Sequence, residues 1–190
     1  MTTGEVYIDF IRELKTVYEE REAETISDWV FENVTGMKRW ERRANQNKEI
    51  KNSEHQQLQK YLTELLQHKP VQYVLNEAWF YKMKFFVNED VLIPRPETEE
   101  LVEWIVNEFE AGNANSSKTR NILDIGSGSG CISICLKKEL PGANLFAIDI
   151  SEKALAVAQK NARDLNAPVD FLQIDFLDEN KWNTLFQYDI

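Results

Sequence analysis

The sequence has few of the residues that mark disulfide-rich, metal-binding or membrane proteins. Only two of its 190 residues are cysteine and only two are histidine, which is too few for a disulfide framework or an ordinary zinc site. No apolar run approaches the roughly 20 residues that cross a bilayer, and no basic region followed by a hydrophobic stretch opens the chain. The sequence therefore predicts a cytoplasmic protein with no metal and no membrane partner.

Basic residues are also scarce, since 32 acidic side chains face 22 basic ones and the net charge is −10. This balance disfavours general binding to phosphates, so we expect no direct nucleic-acid partner. One basic interval interrupts the acidic background, Lys38–Arg43, with Lys48 and Lys51 beyond it. It is either a solvated helix face or a docking patch for a ribosome-associated or acidic partner.

The two cysteines, Cys131 and Cys135, are four residues apart on a predicted helix. They share a helical face but are badly aimed for a disulfide, and no second pair completes a metal set. We interpret both as small core residues.

The first seventy residues have apolar side chains at helical spacing. Two amphipathic helices are predicted, one around Val6–Tyr18 and one that ends before Gly36. A short basic helix follows, and Ser53–Gln56 resembles a capping box that starts another helix. Pro70 marks the end of that helix, so this segment is predicted to be a small helical bundle.

Residues 71–93 are rich in aromatic residues and predict a β-hairpin, with a turn at Asn88–Asp90 and a strand at Val91–Ile93. An alternating α/β series follows, which favours parallel strands joined by right-handed crossovers. Its predicted helices cover residues 98–109, 131–140 and 151–165, its strands cover 121–125, 144–149 and 169–172, and a polar loop covers 111–118.

The most informative motif is a glycine-rich loop that follows the strand Ile122–Ile125. Gly126, Gly128 and Gly130 allow a sharp turn and close approach to a ligand, a helix starts at once, and Asp149 ends the next strand. An acid at this position accepts hydrogen bonds from ribose hydroxyls. The order predicts a nucleotide-cofactor site, although a glycine loop alone could be a structural turn.

The glycine spacing distinguishes between cofactors. The dinucleotide motif G-x-G-x-x-G needs a glycine at position 131, where this chain has Cys131. The compact G-x-G-x-G form is typical of S-adenosylmethionine-dependent methyltransferases. A nicotinamide dehydrogenase therefore remains only a minor alternative.

A stiff segment precedes this domain, because Pro94 and Pro96 flank Arg95 and acids then favour a helix start. On composition alone it is a linker and helix cap. Together with Lys69–Val74, Asp124–Gly130, Asp149 and Ile174–Phe176, the segment Val91–Val102 closely resembles the release-factor glutamine methyltransferases, the HemK/PrmC family.

That resemblance implies a fold and an activity. It implies an N-terminal helical substrate-recognition domain (1–70), a β-hairpin linker (71–93) and the N-terminal part of a Rossmann-like, incomplete methyltransferase domain (94–190). The enzyme would be a monomer that uses S-adenosyl-L-methionine to methylate the glutamine side-chain amide in the Gly-Gly-Gln motif of peptide chain release factors.

The resemblance also assigns site residues. The loop Gly126, Ser127, Gly128, Ser129 and Gly130 would line the methionine part of the cofactor. Asp149 would bind the ribose and Phe176 would lie along the adenine. Asp175 would hold the adenine amino group or be a solvated strand-end carboxylate. The cofactor pocket would be braced by Arg95, Glu97 and Thr98, or these residues would have a purely structural role between the domains.

One departure separates the chain from the family pattern. The Asn-Pro-Pro-Tyr motif, which would hold the substrate amide, is missing, and the sequence reaches only Gln187–Ile190 at the expected start of its strand. We therefore expect a truncated form of the enzyme with no catalytic residue of its own and no turnover. The alternatives are an amino-methyltransferase acting on nucleic acid or another protein, and a non-catalytic fragment that binds cofactor or docks to a protein.

Overall fold

The fold is described from a computed structural model, which describes residues 1–112 and 120–185. The chain divides into two compact units, Met1–Leu75 and Asn76–Ile190. Part of the predicted loop at 111–118 and all of the predicted strand start at 187–190 lie outside the described residues.

The first unit is helical. Its helices are α1 (Thr3–Leu14), α2 (Glu20–Thr35), α3 (Arg39–Ala44), α4 (Asn52–Leu66) and α5 (Val71–Leu75). Their apolar faces form one core around Phe10, Val30 and Phe31, with Leu58 and Leu65 from α4. This arrangement confirms the two amphipathic helices and the short basic helix.

Two local predictions in this unit are wrong. Helix α4 begins at Asn52, and Glu54 accepts a hydrogen bond from the backbone of Lys51, so Ser53 is not the cap. The segment predicted as a β-hairpin from residue 71 instead begins with α5 at 71–75, where the carbonyl of Pro70 accepts from the amides of Tyr73 and Val74. Proline has no backbone N–H, but an N–H in the first turn of a helix has no partner within the helix. Proline is therefore well suited to the start of a helix.

Arg42 is a structural residue of this unit. Its side chain is 4% exposed, its guanidinium lies 2.5 Å from Asp28 Oδ1, and it stacks 3.6 Å from the centre of the Tyr7 ring. Tyr7 donates to the same carboxylate oxygen at 2.6 Å, and burial with this hydrogen bond raises the pKa of Tyr7 to about 12. One cation of the basic interval is therefore used to hold α3 against α1 and α2.

The second unit opens with a hairpin of β1 (Glu77–Phe80) and β2 (Met83–Phe86). Its turn is Tyr81–Lys82, both with positive φ, and not Asn88–Asp90. No strand forms at 91–93, where Val91 lies in a bend and the next two residues have no regular secondary structure. The twist of hairpin strands favours two-residue turns with positive φ, which are usually marked by Asn-Gly or Asp-Gly. Because this turn has an aromatic residue instead, the sequence pattern did not indicate it.

A parallel three-stranded sheet follows. Helix α6 (Glu97–Gly112) leads to β3 (Asn121–Ile125), α7 (Cys131–Glu139), β4 (Asn144–Asp149), α8 (Glu152–Asp164) and β5 (Asp170–Gln173), and a 3₁₀ helix covers Glu179–Thr184. The strand order is β3-β4-β5, with Ile122 opposite Leu145 and Asp149 opposite Gln173. The predicted parallel α/β architecture is confirmed, and Ser151 caps α8 by accepting from the amide of Ala154.

Candidate functional site

The glycine loop lies at the carboxyl edge of the sheet, between β3 and α7. The amides of Gly126 and Ser127 both donate to the carbonyl of Ile148, at 2.8 and 3.0 Å, so the loop is fixed to the end of β4. The amide of Gly130 donates to Ser127 O at 2.7 Å and closes the turn. Ligands of open α/β sheets bind at this edge.

The glycines of the loop have two different roles. A methyl group added at Gly126 or Gly128 would meet no atom within 4 Å, whereas at Gly130 it would lie 3.1 Å from Ala158 Cβ and 3.1 Å from Ile134 Cδ1. All three have positive φ. Gly130 therefore permits close packing of α8 on the loop, and the other two leave its outer face open to a ligand.

Asp149 is turned towards the loop. Its Oδ2 accepts a hydrogen bond from the amide of Gly128 at 2.9 Å, and its Oδ1 accepts from the amide of Ser151 at 2.9 Å. A carboxylate has about four acceptor positions. Two of them are used by these amides, so the remainder are free to accept from hydroxyl groups of a ligand beside the loop.

Two further polar groups point to a ligand at the loop, and sequence reasoning missed their importance. Asp124 Oδ2 and Ser127 Oγ are buried without a hydrogen-bond partner among the described residues. Burial raises the pKa of Asp124, Asp149 raises it further, and hydrogen bonds from Ser133 lower it. A buried unpaired acceptor is costly unless a ligand donates to it. The signal in the sequence was a carboxylate inside an otherwise apolar strand.

The segment after β5 carries Asp175 and Phe176. Asp175 accepts from the amide of Leu177 at 3.0 Å and so forms a local turn. The Phe176 ring stacks on Trp182, with centroids 5.6 Å apart and planes 24° apart, and Trp182 Nε1 donates to Phe176 O at 2.8 Å. One face of Phe176 is therefore covered by Trp182, which the sequence did not suggest.

The described contacts of Arg95, Glu97 and Thr98 are local. The amide of Thr98 donates to Arg95 O at 3.0 Å, and Glu97 starts α6. The neighbouring acid Glu99 instead accepts from the amide of Tyr81 at 2.9 Å. This bond joins α6 to the hairpin turn.

Apolar side chains flank the acid at the same edge of the sheet. Ile125, at the end of β3, is 48% exposed, and Ile150, directly after Asp149, is 63% exposed. Exposed aliphatic groups beside convergent polar groups are typical of ligand clefts. The edge therefore combines a glycine loop with open space at Gly126 and Gly128, a carboxylate and apolar walls.

The cysteines lie outside this chemistry. Cys135 is fully buried, and burial raises the pKa of Cys131 to about 11 and that of Cys135 further. Both are free thiols in the core of the second unit, as predicted. Among the described residues, no group of three or more His, Cys, Asp or Glu could hold a metal ion, and no helix there has the length and apolar character to cross a membrane.

Comparison with known sequences identifies both units. Residues 5–75 match the PrmC N-terminal domain, and residues 103–188 match the methyltransferase small domain. The chain therefore carries a PrmC N-terminal domain and, after it, a region similar to the methyltransferase small domain. The match to a methyltransferase domain places the parallel sheet of the second unit among Rossmann-like methyltransferase folds.

Relatives with a curated name support this PrmC assignment. The chain is 42% identical to the release factor glutamine methyltransferase of Flavobacterium psychrophilum over 93% of this chain and 61% of that protein. It is 47% identical to the protein of the same name from Chlorobaculum tepidum, over 60% of this chain and 40% of that protein. The chain thus spans 61% and 40% of the length of these two relatives.

A solved structure, the SAM dependent methyltransferase from Agrobacterium tumefaciens, aligns with 60% of this chain and 37% of that chain. Its TM-score is 0.46 and its sequence identity is 20%.

Proposed function

We propose that the second unit binds S-adenosyl-L-methionine at the glycine loop. The observation that carries this proposal is the hydrogen bond between the Asp149 carboxylate and the amide of Gly128, beside a loop face that is open at Gly126 and Gly128. In this arrangement the loop backbone approaches the amino-acid part of the cofactor, and the free acceptor positions of Asp149 bind the ribose hydroxyls. Ser129 and Gly130 complete the loop.

The two unpaired buried acceptors fit this cofactor. The α-ammonium group of S-adenosyl-L-methionine is a multiple hydrogen-bond donor with a positive charge, and Asp124 Oδ2 is a buried acceptor with no partner among the described residues. Pairing them would satisfy the carboxylate and favour its charged form. Ser127 Oγ would satisfy a second polar group of the same ligand.

The adenine end of the cofactor is assigned to the segment after β5. We propose that Asp175 accepts from the adenine amino group and that the face of Phe176 not covered by Trp182 lies along the ring. Exposed Ile150 supplies an apolar wall. Arg95, Glu97 and Thr98 are proposed to support the pocket through α6.

We further propose that the whole protein that carries these 190 residues methylates the glutamine side-chain amide in the Gly-Gly-Gln motif of peptide chain release factors. The curated names of the relatives and the PrmC N-terminal domain support this. The bound cofactor supplies an electrophilic methyl group on a sulfonium. An amide nitrogen is a weak nucleophile because its lone pair is delocalised into the carbonyl. The protein therefore has to position and polarise the amide.

We propose that residues 1–70 recognise the substrate protein, as a helical recognition domain ahead of the hairpin and of the methyltransferase part at 94–190. Within the first unit, Trp40 is 68% exposed, and Arg43 and Lys48 are exposed beside it in sequence. Arg42 is held inward, but Lys38 and Lys51 are exposed as well, so the basic side chains around Trp40 are available to an acidic surface. We propose that the protein acts as a monomer in the cytoplasm, where release factors work.

Transfer of a labelled methyl group tests this function. With the whole protein and labelled S-adenosyl-L-methionine, we expect label in a release factor and none in a variant whose Gly-Gly-Gln glutamine is changed to alanine. Equal labelling of that variant would contradict the assigned target. Labelling of RNA or DNA instead would favour the alternative of a nucleic-acid methyltransferase.

A further inference from the structure

A buried asparagine joins three elements around the glycine loop. Asn161 on α8 is 1% exposed. Its Nδ2 donates to the carbonyl of Ser129 at 2.9 Å and to the carbonyl of Phe86 at 2.9 Å. Its Oδ1 accepts from the amide of Phe86 at 2.7 Å. One side chain thus satisfies both backbone groups of a hairpin residue and one carbonyl of the loop.

The position of the Ser129 carbonyl matters because it belongs to the peptide that connects Ser129 to Gly130. The amide of Gly130 is part of that same peptide and donates to Ser127 O at 2.7 Å. A peptide unit is planar, so fixing its oxygen also fixes the direction of its N–H. Asn161 therefore controls the orientation of the peptide that closes the turn.

Helix α8 makes two adjacent contacts with the glycine loop, a tight apolar contact through Ala158 and the hydrogen bond from Asn161. Ala158, one turn before Asn161 on α8, is the residue that a methyl group at Gly130 would meet at 3.1 Å. Helix α8 thus touches the loop at Gly130 through packing and at Ser129 through a hydrogen bond. The second contact also reaches β2, because the same Asn161 side chain bonds both backbone groups of Phe86.

We infer that Asn161 is a positioning residue for the cofactor site: through the Ser129 carbonyl it holds the glycine loop in the binding conformation and couples that loop to the β1–β2 hairpin. This inference rests on the proposed binding of S-adenosyl-L-methionine. Asn161 is fully enclosed by its three partners, so it acts on the ligand through the loop backbone. Removing it leaves the Phe86 and Ser129 groups unpaired in the interior.

The test compares Asn161→Ala with two control variants. Asn76→Gly keeps a positive backbone φ but removes the hydrogen bond from Asn76 Nδ2 to Val87 O, at the base of the same hairpin and without contact to the loop. Leu145→Ala creates a cavity in the core at the end of β4 opposite to Asp149. Thermal unfolding measures how much stability each variant loses. The changes in hydrogen exchange and in ligand affinity are then compared with that loss.

Two measurements distinguish positioning from general destabilisation. Amide hydrogen exchange should accelerate at both residues 126–130 and 83–87 in Asn161→Ala, but not at 126–130 in either control. Calorimetric titration with S-adenosyl-L-homocysteine, the demethylated form of the proposed cofactor, should show at least tenfold weaker binding for Asn161→Ala and less than a threefold change for the controls.

The outcomes separate this inference from the proposed function. Binding by the unsubstituted chain, with equal losses of affinity in Asn161→Ala and Leu145→Ala, would overturn the positioning role and leave the cofactor site standing. Unchanged exchange at residues 126–130 in Asn161→Ala would overturn the positioning role whatever the binding result. No binding by the unsubstituted chain would overturn the proposed function and, with it, the role of Asn161 in cofactor binding.

Discussion

The carboxylate of Asp149 and the amide of Gly128 are joined by a 2.9 Å hydrogen bond, although the two residues are separated by β4 and α7. The end of one strand therefore shapes the loop that follows its neighbour. This bond brings the acid and the glycine loop into one site within the protein's own hydrogen bonding, and a preorganised site binds its ligand with less loss of conformational freedom.

The two roles of the loop glycines predict a difference in stability. Gly130→Ala has to accommodate a left-handed backbone and two atoms at 3.1 Å, whereas Gly128→Ala has only the backbone cost. We expect Gly128→Ala to lower the free energy of unfolding by about 1 kcal/mol and Gly130→Ala by about 2–4 kcal/mol. Urea denaturation measures both, and equal losses would contradict the close packing of α8 on the loop.

The buried ion pair of the first unit predicts a large loss on truncation. Asp28→Ala leaves the guanidinium of Arg42 buried without its carboxylate and also removes the acceptor of Tyr7. We expect a loss of about 3–5 kcal/mol in the free energy of unfolding of this unit, as for other broken buried pairs. Asp9→Ala is the control, because its pair with Arg12 is exposed and should contribute less than about 0.5 kcal/mol. A small loss for Asp28→Ala would show that α3 is held by other contacts.

The raised pKa of Asp124 predicts a pH dependence of stability. Its folded-state pKa lies above the unfolded value of about 3.9, so the protonated form is favoured on folding. The contribution of Asp124 to stability is therefore full below the unfolded pKa and is lost as pH rises through the folded-state pKa. Asp124→Asn should flatten that part of the stability profile, measured by urea denaturation from pH 4 to 8. Parallel profiles for the variant and the original chain would contradict the raised pKa of Asp124.

The thiols should resist alkylation in the folded protein. Burial raises the pKa of Cys131 to about 11, and Cys135 is fully buried, so thiolate is scarce near neutral pH. We expect iodoacetamide at pH 7.5 to label neither residue within the time that labels both in urea. Mass spectrometry measures the label, and rapid labelling of Cys131 in the folded chain would show that the start of α7 opens readily.

Much of the fold follows from local sequence signals. Strand β4 was predicted at 144–149, where the structure places it, because a short apolar run ends in an acid and is followed by Ser151, a good helix cap. The parallel order followed from alternation of strands and helices. Apolar strand runs and helix caps are reliable signals where strands and helices alternate regularly along the chain.

The errors arise where distant contacts override local preference. The turn at Tyr81–Lys82 has no glycine or asparagine to announce it, and the amide of Tyr81 is instead satisfied by Glu99 on α6. Asn161 was unremarkable in the sequence because its partners Phe86 and Ser129 are 75 and 32 residues away. The sequence located the glycines and the acid of the site, but not the side chains that hold them.

Calorimetric titration of the 190-residue chain with S-adenosyl-L-methionine tests the central claim most directly. We expect one site per chain and at least tenfold weaker binding in Asp149→Ala, because the ribose hydroxyls lose a charged acceptor and the loop loses its bond to Gly128. Asp170→Ala, an exposed acid at the other end of the neighbouring strand, should bind as the original chain does. Equal affinity in all three proteins, or no binding in any of them, would contradict the cofactor site at the glycine loop.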